Sequence, residues 1–199
     1  MPTREPSETR ILTVASEHLR LHGLKRFTVV AVAEEAGMTH ANVYRYFPSR
    51  AALVDAVVDV WLKATERSLA DIADGPDPAH DKLERLILAL AKANRDLLLE
   101  DRHLFTALSQ AVAGRHAISR RNRTRVRALF ERVIDEGIGS GAFEPRDRDR
   151  AIAFVIDATH RFIHPAALAL DADVPQASVD LRLATLIRVI LRVLATGIV

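Results

Sequence analysis

The sequence predicts an all-α fold, and three observations carry that prediction. Its eight prolines and eight glycines cluster, leaving the stretches 49–74, 79–113, 115–136, 146–164 and 176–196 without either residue. Apolar residues inside those stretches recur every three or four positions, the period of an α-helix. Alternating strands punctuated by turn signals every ~8–12 residues are missing, as is any repeat of ~20–50 residues that would mark a solenoid.

The elements follow in chain order. A first helix over 7–22 turns Ile11, Leu12, Ala15 and Leu19 inward and stops at Gly23. Thr28 can cap a short helix over 29–36, and Thr39 a second over 40–46, with Gly37-Met38 between them. A long helix over 50–73 aligns Leu53, Ala56, Val57, Val60, Trp61 and Ala64. Asp77-Pro78 reads as an N-cap followed by proline at the first helical position. The stretch 79–113 exceeds one typical helix and divides near Glu100-Asp101-Arg102. Its first half aligns Leu83, Leu86, Ile87, Leu90, Asn94 and Leu97. Gly114 and Gly137 stand where helices stop, bounding a helix with Val126, Leu129, Phe130, Val133 and Ile134. Helices over 147–164 and 176–196 align Ala151, Phe154, Val155, Ala158 and Phe162, then Val179, Leu183, Leu186, Ile187, Ile190 and Leu194. That makes about nine helices joined by short linkers.

Length and composition narrow the function. The chain's 199 residues amount to one or two domains at ~150 residues each, and a chain of this size buries roughly 70% of its unfolded surface. It is 49% hydrophobic and 27% charged, the balance of a folded soluble chain. With no cysteine, disulfide scaffolds, thiol nucleophiles, iron–sulfur clusters and thiolate zinc sites are excluded. The longest apolar runs, such as 86–91 and 151–156, hold six residues, against the ~20 of a membrane-spanning helix. The N-terminus lacks the apolar segment of a signal peptide, so the expected compartment is the cytoplasm. Residues 1–50 carry seven Lys/Arg and five Asp/Glu, and residues 51–199 carry 21 of each, so the whole formal excess of +2 sits in the first quarter.

That first quarter reads as helix, tight glycine turn, helix, with both short helices near two turns long. A helix-turn-helix needs this arrangement because its second helix must project into the DNA major groove. Gly37 supplies the backbone freedom of the turn, and Val32, Ala33, Ala36 and Val43 are small enough for close packing. The string Ala36-Gly37-Met38-Thr39, then Val43-Tyr44-Arg45-Tyr46-Phe47-Pro48-Ser49-Arg50, together with Gly23, Thr28, Val32-Ala33 and Leu53, resembles the N-terminal domain of TetR/AcrR-type bacterial transcriptional regulators. His18 and Leu19 depart from the Leu-Phe usual there, and Val32 from the usual Ile; these affect packing. The resemblance covers about fifty residues, from Ile11 to Val57. The rest matches the family by layout and length: an all-α body that binds a small effector and forms a homodimer.

The resemblance implies a DNA-binding domain over 1–48, a linking helix over 49–74 and an effector-binding and dimerisation domain over 75–199. His40, Ala41, Asn42 and Arg45 lie on or near the recognition helix and suit base edges: Arg45 can fork onto guanine, and Ala41 can meet a thymine methyl. Which of them reaches bases stays open. Thr28, Thr39, Tyr44, Tyr46 and Arg50 resemble the family's phosphate contacts. For Tyr44 and Phe47, core packing is the competing role. The expected partners are a palindromic double-stranded operator, a small-molecule effector and a second copy of the chain. No cofactor, metal or membrane is expected.

Candidate effector-pocket residues are Trp61, Asn94, Phe105, Phe130, Phe154, Asp157, His160 and His164. The aromatic residues suit a core as well as a pocket. Asn94, on an apolar stripe, either bonds the backbone or reads a ligand. His160 and His164, four apart with Asp157 one turn earlier, have a spacing that could meet a metal, a pocket, a dimer interface or plain solvent. Residues 115–127 hold six arginines and no acid, read as a solvated helix face, with a second nucleic-acid surface as the alternative. The last two helices have wide apolar arcs that need cover on two sides, which a four-helix interface between two copies would supply. An enzyme is the first rival, but the chain has no nucleophile–base motif or phosphate loop. An activator of the same fold and a purely structural helical dimer are the others.

Overall fold

The computed structural model describes residues 7–199 and is all helix with linking turns. The leading residues 1–6 lie outside that range, and with them the start of the expected DNA-binding domain and of the signal-peptide reading. The helices are α1 (Ser7–Arg26), α2 (Val29–Glu35), α3 (His40–Tyr46), α4 (Arg50–Ala73), α5 (Ala79–Glu100), α6 (Arg102–Ala113), α7 (Ala117–Gly139), α8 (Arg148–Ile163), α9 (Pro165–Leu170) and α10 (Gln176–Ala195).

The caps explain most boundaries. The Thr28, Thr39 and Ser49 side chains accept from the N–H groups of Ala31, Asn42 and Ala52, which starts α2, α3 and α4. Asp101 accepts from Leu104 N–H at 2.9 Å and divides 79–113 at the expected polar trio. Asp147 accepts from both Asp149 and Arg150 N–H and opens α8.

Four boundaries differ from the sequence reading. Gly23 breaks α1 with φ 68° and ψ 174°, but the helix resumes to Arg26. Pro78, not Asp77, is the N-cap of α5, and no side chain caps it; Asp77 pairs with Arg85 instead. Gly137 does not end α7, which continues to Gly139. A Cβ at Gly137 would lie 2.1 Å from Phe143 Cδ2, so this glycine admits the ring, and Gly141 (φ 73°) takes the turn. Finally, there are ten helices among the described residues. His164 ends α8 and its ring accepts from Ala166 N–H, starting α9 with Pro165 at the first position.

The helices bury two apolar cores. The first holds Ile11, Leu19, Phe27, Val32, Val43, Phe47, Leu53 and Leu62, and extends into α6 through Phe105 and Leu108. The second holds Leu83, Leu86, Ile87, Leu90, Phe130, Ile134, Ile152, Leu183 and Ile187 from α5, α7, α8 and α10. The helix-turn-helix unit is therefore not packed alone. Its α1 lies against α6, and α4 passes from the first core into the second through Leu69 and Ala73.

Candidate nucleic-acid interface and ligand cavity

The turn between α2 and α3 is closed by backbone bonds. Gly37 N–H donates to Glu34 O, and Met38 N–H donates to Ala33 O at 2.9 Å. Gly37 takes φ 63°, the left-handed conformation that favours glycine. Val43 is fully buried in one apolar cluster with Val32 and Ala33, and Ala36 is buried as well. With Val43 inward, the turn of 100° per residue presents His40, Ala41, Tyr44 and Arg45 as one continuous exposed stripe. Asn42 is half-buried beside it. Thr28 and Thr39 are exposed at the starts of their helices, where their Oγ atoms also serve as caps.

Five motif side chains have defined positions. Tyr44 is 45% exposed, which leaves its ring and hydroxyl open to a partner. Arg45 Nη2 donates to Tyr46 Oη at 3.1 Å, and its guanidinium carbon lies 5.0 Å from the Tyr46 ring centre. That donation holds the Tyr46 phenol below the ordinary tyrosine value. Phe47 is buried in the first core. Arg50 is engaged within the fold. Its Nε donates to Phe27 O at 2.7 Å and its Nη2 to Leu24 O, so it ties the start of α4 to the end of α1. A guanidinium has five N–H groups, but two of those on Arg50 are spent on the protein.

A second feature lies between the two cores. A cavity of about 350 Å³ falls within the ~300–1,000 Å³ range of small-molecule sites. Trp61, Leu62 and Thr65 of α4, Leu90 and Asn94 of α5, and Leu108 and Val112 of α6 form part of its wall. A stripe of α7 adds Ser119, Arg123, Val126, Arg127 and Phe130, and a stripe of α8 adds Ile156, Thr159, His160 and Ile163. Leu62 and Leu108 belong to the first core, and Leu90 and Phe130 to the second. The cavity therefore occupies the seam where the two cores meet.

Of the expected pocket residues, Trp61, Asn94, Phe130, His160 and His164 line this cavity. Asn94 is buried, and its amide nitrogen donates to Leu90 O at 2.9 Å. Phe105, Phe154 and Asp157 do not line it. Phe105 is buried in the first core, and Phe154 packs half-buried on the second. Asp157 is exposed, because a residue one step beyond Ile156 turns ~100° away from the lining stripe.

The His160 and His164 rings stack, with centres 4.4 Å apart. Burial lowers the His164 pKa first, and the neighbouring His160 lowers it further. The structure brings another trio within reach of one point: His18, His22 and Glu35, whose ligand atoms lie within 4.8 Å of one another. His18 is buried there, its Nδ1 lying 2.8 Å from Glu35 and its Nε2 3.4 Å from Arg26 O. Both ring nitrogens thus face protein partners, and the departure from the usual Leu-Phe becomes a polar tie between α1 and α2.

The arginine run is exposed, as a solvated helix face would be, and part of it also lines the cavity. Arg115, Arg120, Arg123 and Arg127 are exposed and also line the cavity, so they stand at its mouth. Arg120, Arg123 and Arg127 follow one another at helical spacing along α7, on the side that carries Val126 and Phe130.

Among the described residues, no helix is long and apolar enough to cross a membrane. The family model for bacterial regulatory proteins of the tetR family matches residues 11–57. The model for the tetracyclin repressor-like C-terminal domain matches residues 79–182. The chain is 27% identical over 168 residues to the HTH-type transcriptional repressor KstR2 of Mycolicibacterium smegmatis, covering 78% of each chain. A TetR/AcrR-family transcriptional regulator from Thermobifida fusca superposes with TM-score 0.67 at 22% identity, covering 92% of this chain and 95% of that one. The transcriptional regulator FadR of Bacillus subtilis, solved with stearoyl-CoA, superposes with TM-score 0.64 at 16% identity, covering 96% and 98%.

Proposed function

The chain belongs to the tetR family of bacterial transcriptional regulators, and from that membership we propose that it is a homodimeric repressor released from a palindromic operator by a small effector. The observation that carries the DNA half is the exposed stripe His40, Ala41, Tyr44 and Arg45 on a helix whose opposite face is fixed by Val43. His40, Ala41, Asn42 and Arg45 read base edges, with Arg45 suited to guanine. Thr28, Thr39, Tyr44 and Tyr46 hold phosphates. Arg50 works chiefly as the tie between α1 and α4, with its remaining N–H groups free for a phosphate. Its name makes the mycobacterial relative a repressor, which favours repression over activation here. Such a protein works in the cytoplasm, at the nucleoid when bound to DNA.

The domains follow the proposed division at 1–48, 49–74 and 75–199, with the cavity as effector site. Two routes lead from it to the recognition helix. From Arg50, beside α3, α4 runs about 22 Å at ~1.5 Å per residue to Thr65, passing Trp61 and Leu62 in the cavity wall. The α6 helix carries Leu108 and Val112 in the wall and packs on α1. An effector releases DNA only by preferring one arrangement of these helices over another.

Dimerisation falls to α8 and α10. Along α10, Leu181 is 68% exposed and Val189 50%, about two turns apart on the side away from the buried stripe Val179, Leu183, Ile187, Ile190 and Leu194. A two-fold pair would place two recognition helices about one DNA turn apart or a multiple of it. Selection from a random DNA library tests the proposal. A recovered palindrome whose half-sites follow that spacing is expected, bound by two protomers. An asymmetric site bound by one protomer would contradict it.

A further inference from the structure

The effector's chemical class follows from what the cavity wall lacks. It contains Arg115, Arg120, Arg123 and Arg127, together with His160 and His164, and not one Asp or Glu. Arginines on neighbouring surface that carry acids beside them do pair: Arg125 with Glu66, Arg132 with Asp74, Arg148 with Asp135 and Arg161 with Asp171. At the mouth only Arg127 does so, with Glu131. Arg120 donates to a carbonyl, that of Arg115. Among the described residues, Arg115, Arg120 and Arg123 have no ion-pair partner. Clustered guanidiniums repel one another, and a nearby apolar wall strengthens that repulsion. An anion relieves it, and a fork of N–H groups suits carboxylate and phosphate oxygens.

The other half of the cavity is apolar. Trp61, Leu62, Leu90, Leu108, Val112 and Phe130 line it. Resting on the reading of this cavity as the effector site, we propose that the effector is an anionic amphiphile. Its apolar body lies between α4, α5, α6 and α7, and its carboxylate or phosphate sits among Arg115, Arg120 and Arg123 at the mouth. Asn94 and Thr159 are the buried polar side chains of the wall; the Thr159 hydroxyl donates to Val155 O, while Asn94 keeps a second amide N–H for an oxygen along the body. A cation is excluded by the arginines, and a neutral hydrocarbon leaves them uncompensated. The same chemistry has two sources, a free carboxylic acid or a coenzyme A thioester whose phosphates meet the arginines.

Trp61 is the single tryptophan of the chain and lines the cavity, so its emission reports occupancy without DNA. The intact protein would be titrated with linear acids from hexanoate to hexadecanoate, their coenzyme A thioesters, the matching alcohols and coenzyme A alone. At least one acid or thioester is expected to change Trp61 emission saturably, with about tenfold or greater preference over the alcohol of equal length. In the exposed-site variants Arg120→Ala and Arg123→Ala, anion binding weakens about tenfold while alcohol binding stays unchanged. Preference for the acid identifies a carboxylate, and preference for the thioester identifies phosphates.

Alcohols binding as tightly as anions, anion binding indifferent to both arginine variants, or no binding by any of the series would overturn the inference. Operator release is measured alongside with the same compounds. Neutral alcohols that bind and release DNA would leave the effector site standing and remove only the anion. Anions that bind through the arginines without changing operator affinity would do the reverse.

Discussion

Single side chains separate reading DNA from holding the reader in place. Arg45 is exposed and bonds only to Tyr46 among the described residues. Arg45→Ala is therefore expected to change stability by less than about 0.5 kcal/mol, yet to flatten the preference between operator and random DNA. Arg50 holds two backbone carbonyls of the α1 end. Arg50→Ala is expected to cost about 1–3 kcal/mol in urea unfolding and to weaken DNA binding because α1 and α4 lose their tie. An unchanged unfolding midpoint with a reduced salt slope would return Arg50 to a plain phosphate contact.

His164 carries a pH signature with a definite sign. Burial and His160 hold its folded pKa below the ordinary 6.5, so the native state binds fewer protons than the unfolded chain. That part of the stability is complete above about 6.5 and is lost as pH falls through the window below it. His164→Asn, which keeps a capping side chain for α9, is expected to make stability less dependent on pH between about 5 and 7. Urea midpoints across that range check the difference.

At the scale of elements, what the sequence made legible follows from local physics. Thr28 and Thr39 cap helices where their side chains predict, because a cap is a contact between residues three apart. Gly137 misleads because its reason is not local: it clears space for Phe143, which sequence order cannot place over α7. Gly137→Ala is expected to cost about 1–3 kcal/mol through overpacking, read as a lower urea midpoint, whereas the open-space Gly139→Ala costs nothing of that kind. The arginine run was legible as helix and as charge. Its role at the cavity needed the angle between α7 and α8, which no periodicity contains. The short α9 was left unassigned because Pro165 marks the end of the helix over 147–164, and the six residues to Leu170 are too few to show a helical period. The buried Lys82 ammonium bonds Glu136 at 2.8 and 2.9 Å and clips α5 to α7; an apolar stripe gives no sign of such a partner.

At the scale of the molecule, two cores meet at one cavity, and α4 and α6 both line its wall and pack on α1 of the helix-turn-helix unit. Further ties cross the same seam. His116 Nδ1 lies 2.7 Å from Asp55, and Glu66 accepts from Asn122 at 2.8 Å and Arg125 at 3.0 Å. An occupant between the cores thus meets the elements that position α3, which gives binding a mechanical path to DNA. The helix-turn-helix was legible because a short local string specifies it. The effector was not, because its site gathers residues from α4 to α9.

The most direct test of a DNA reader coupled to that body is an anisotropy titration of the intact protein. It would use DNA flanking its own gene and random duplex, at two salt concentrations, with Arg45→Ala alongside. Binding tighter to the specific site by about 1,000-fold or more, with two protomers per site and a preference lost in Arg45→Ala, is the expected result. Weak binding that is equal on both duplexes, followed by no preferred sequence from a random library, would contradict the account.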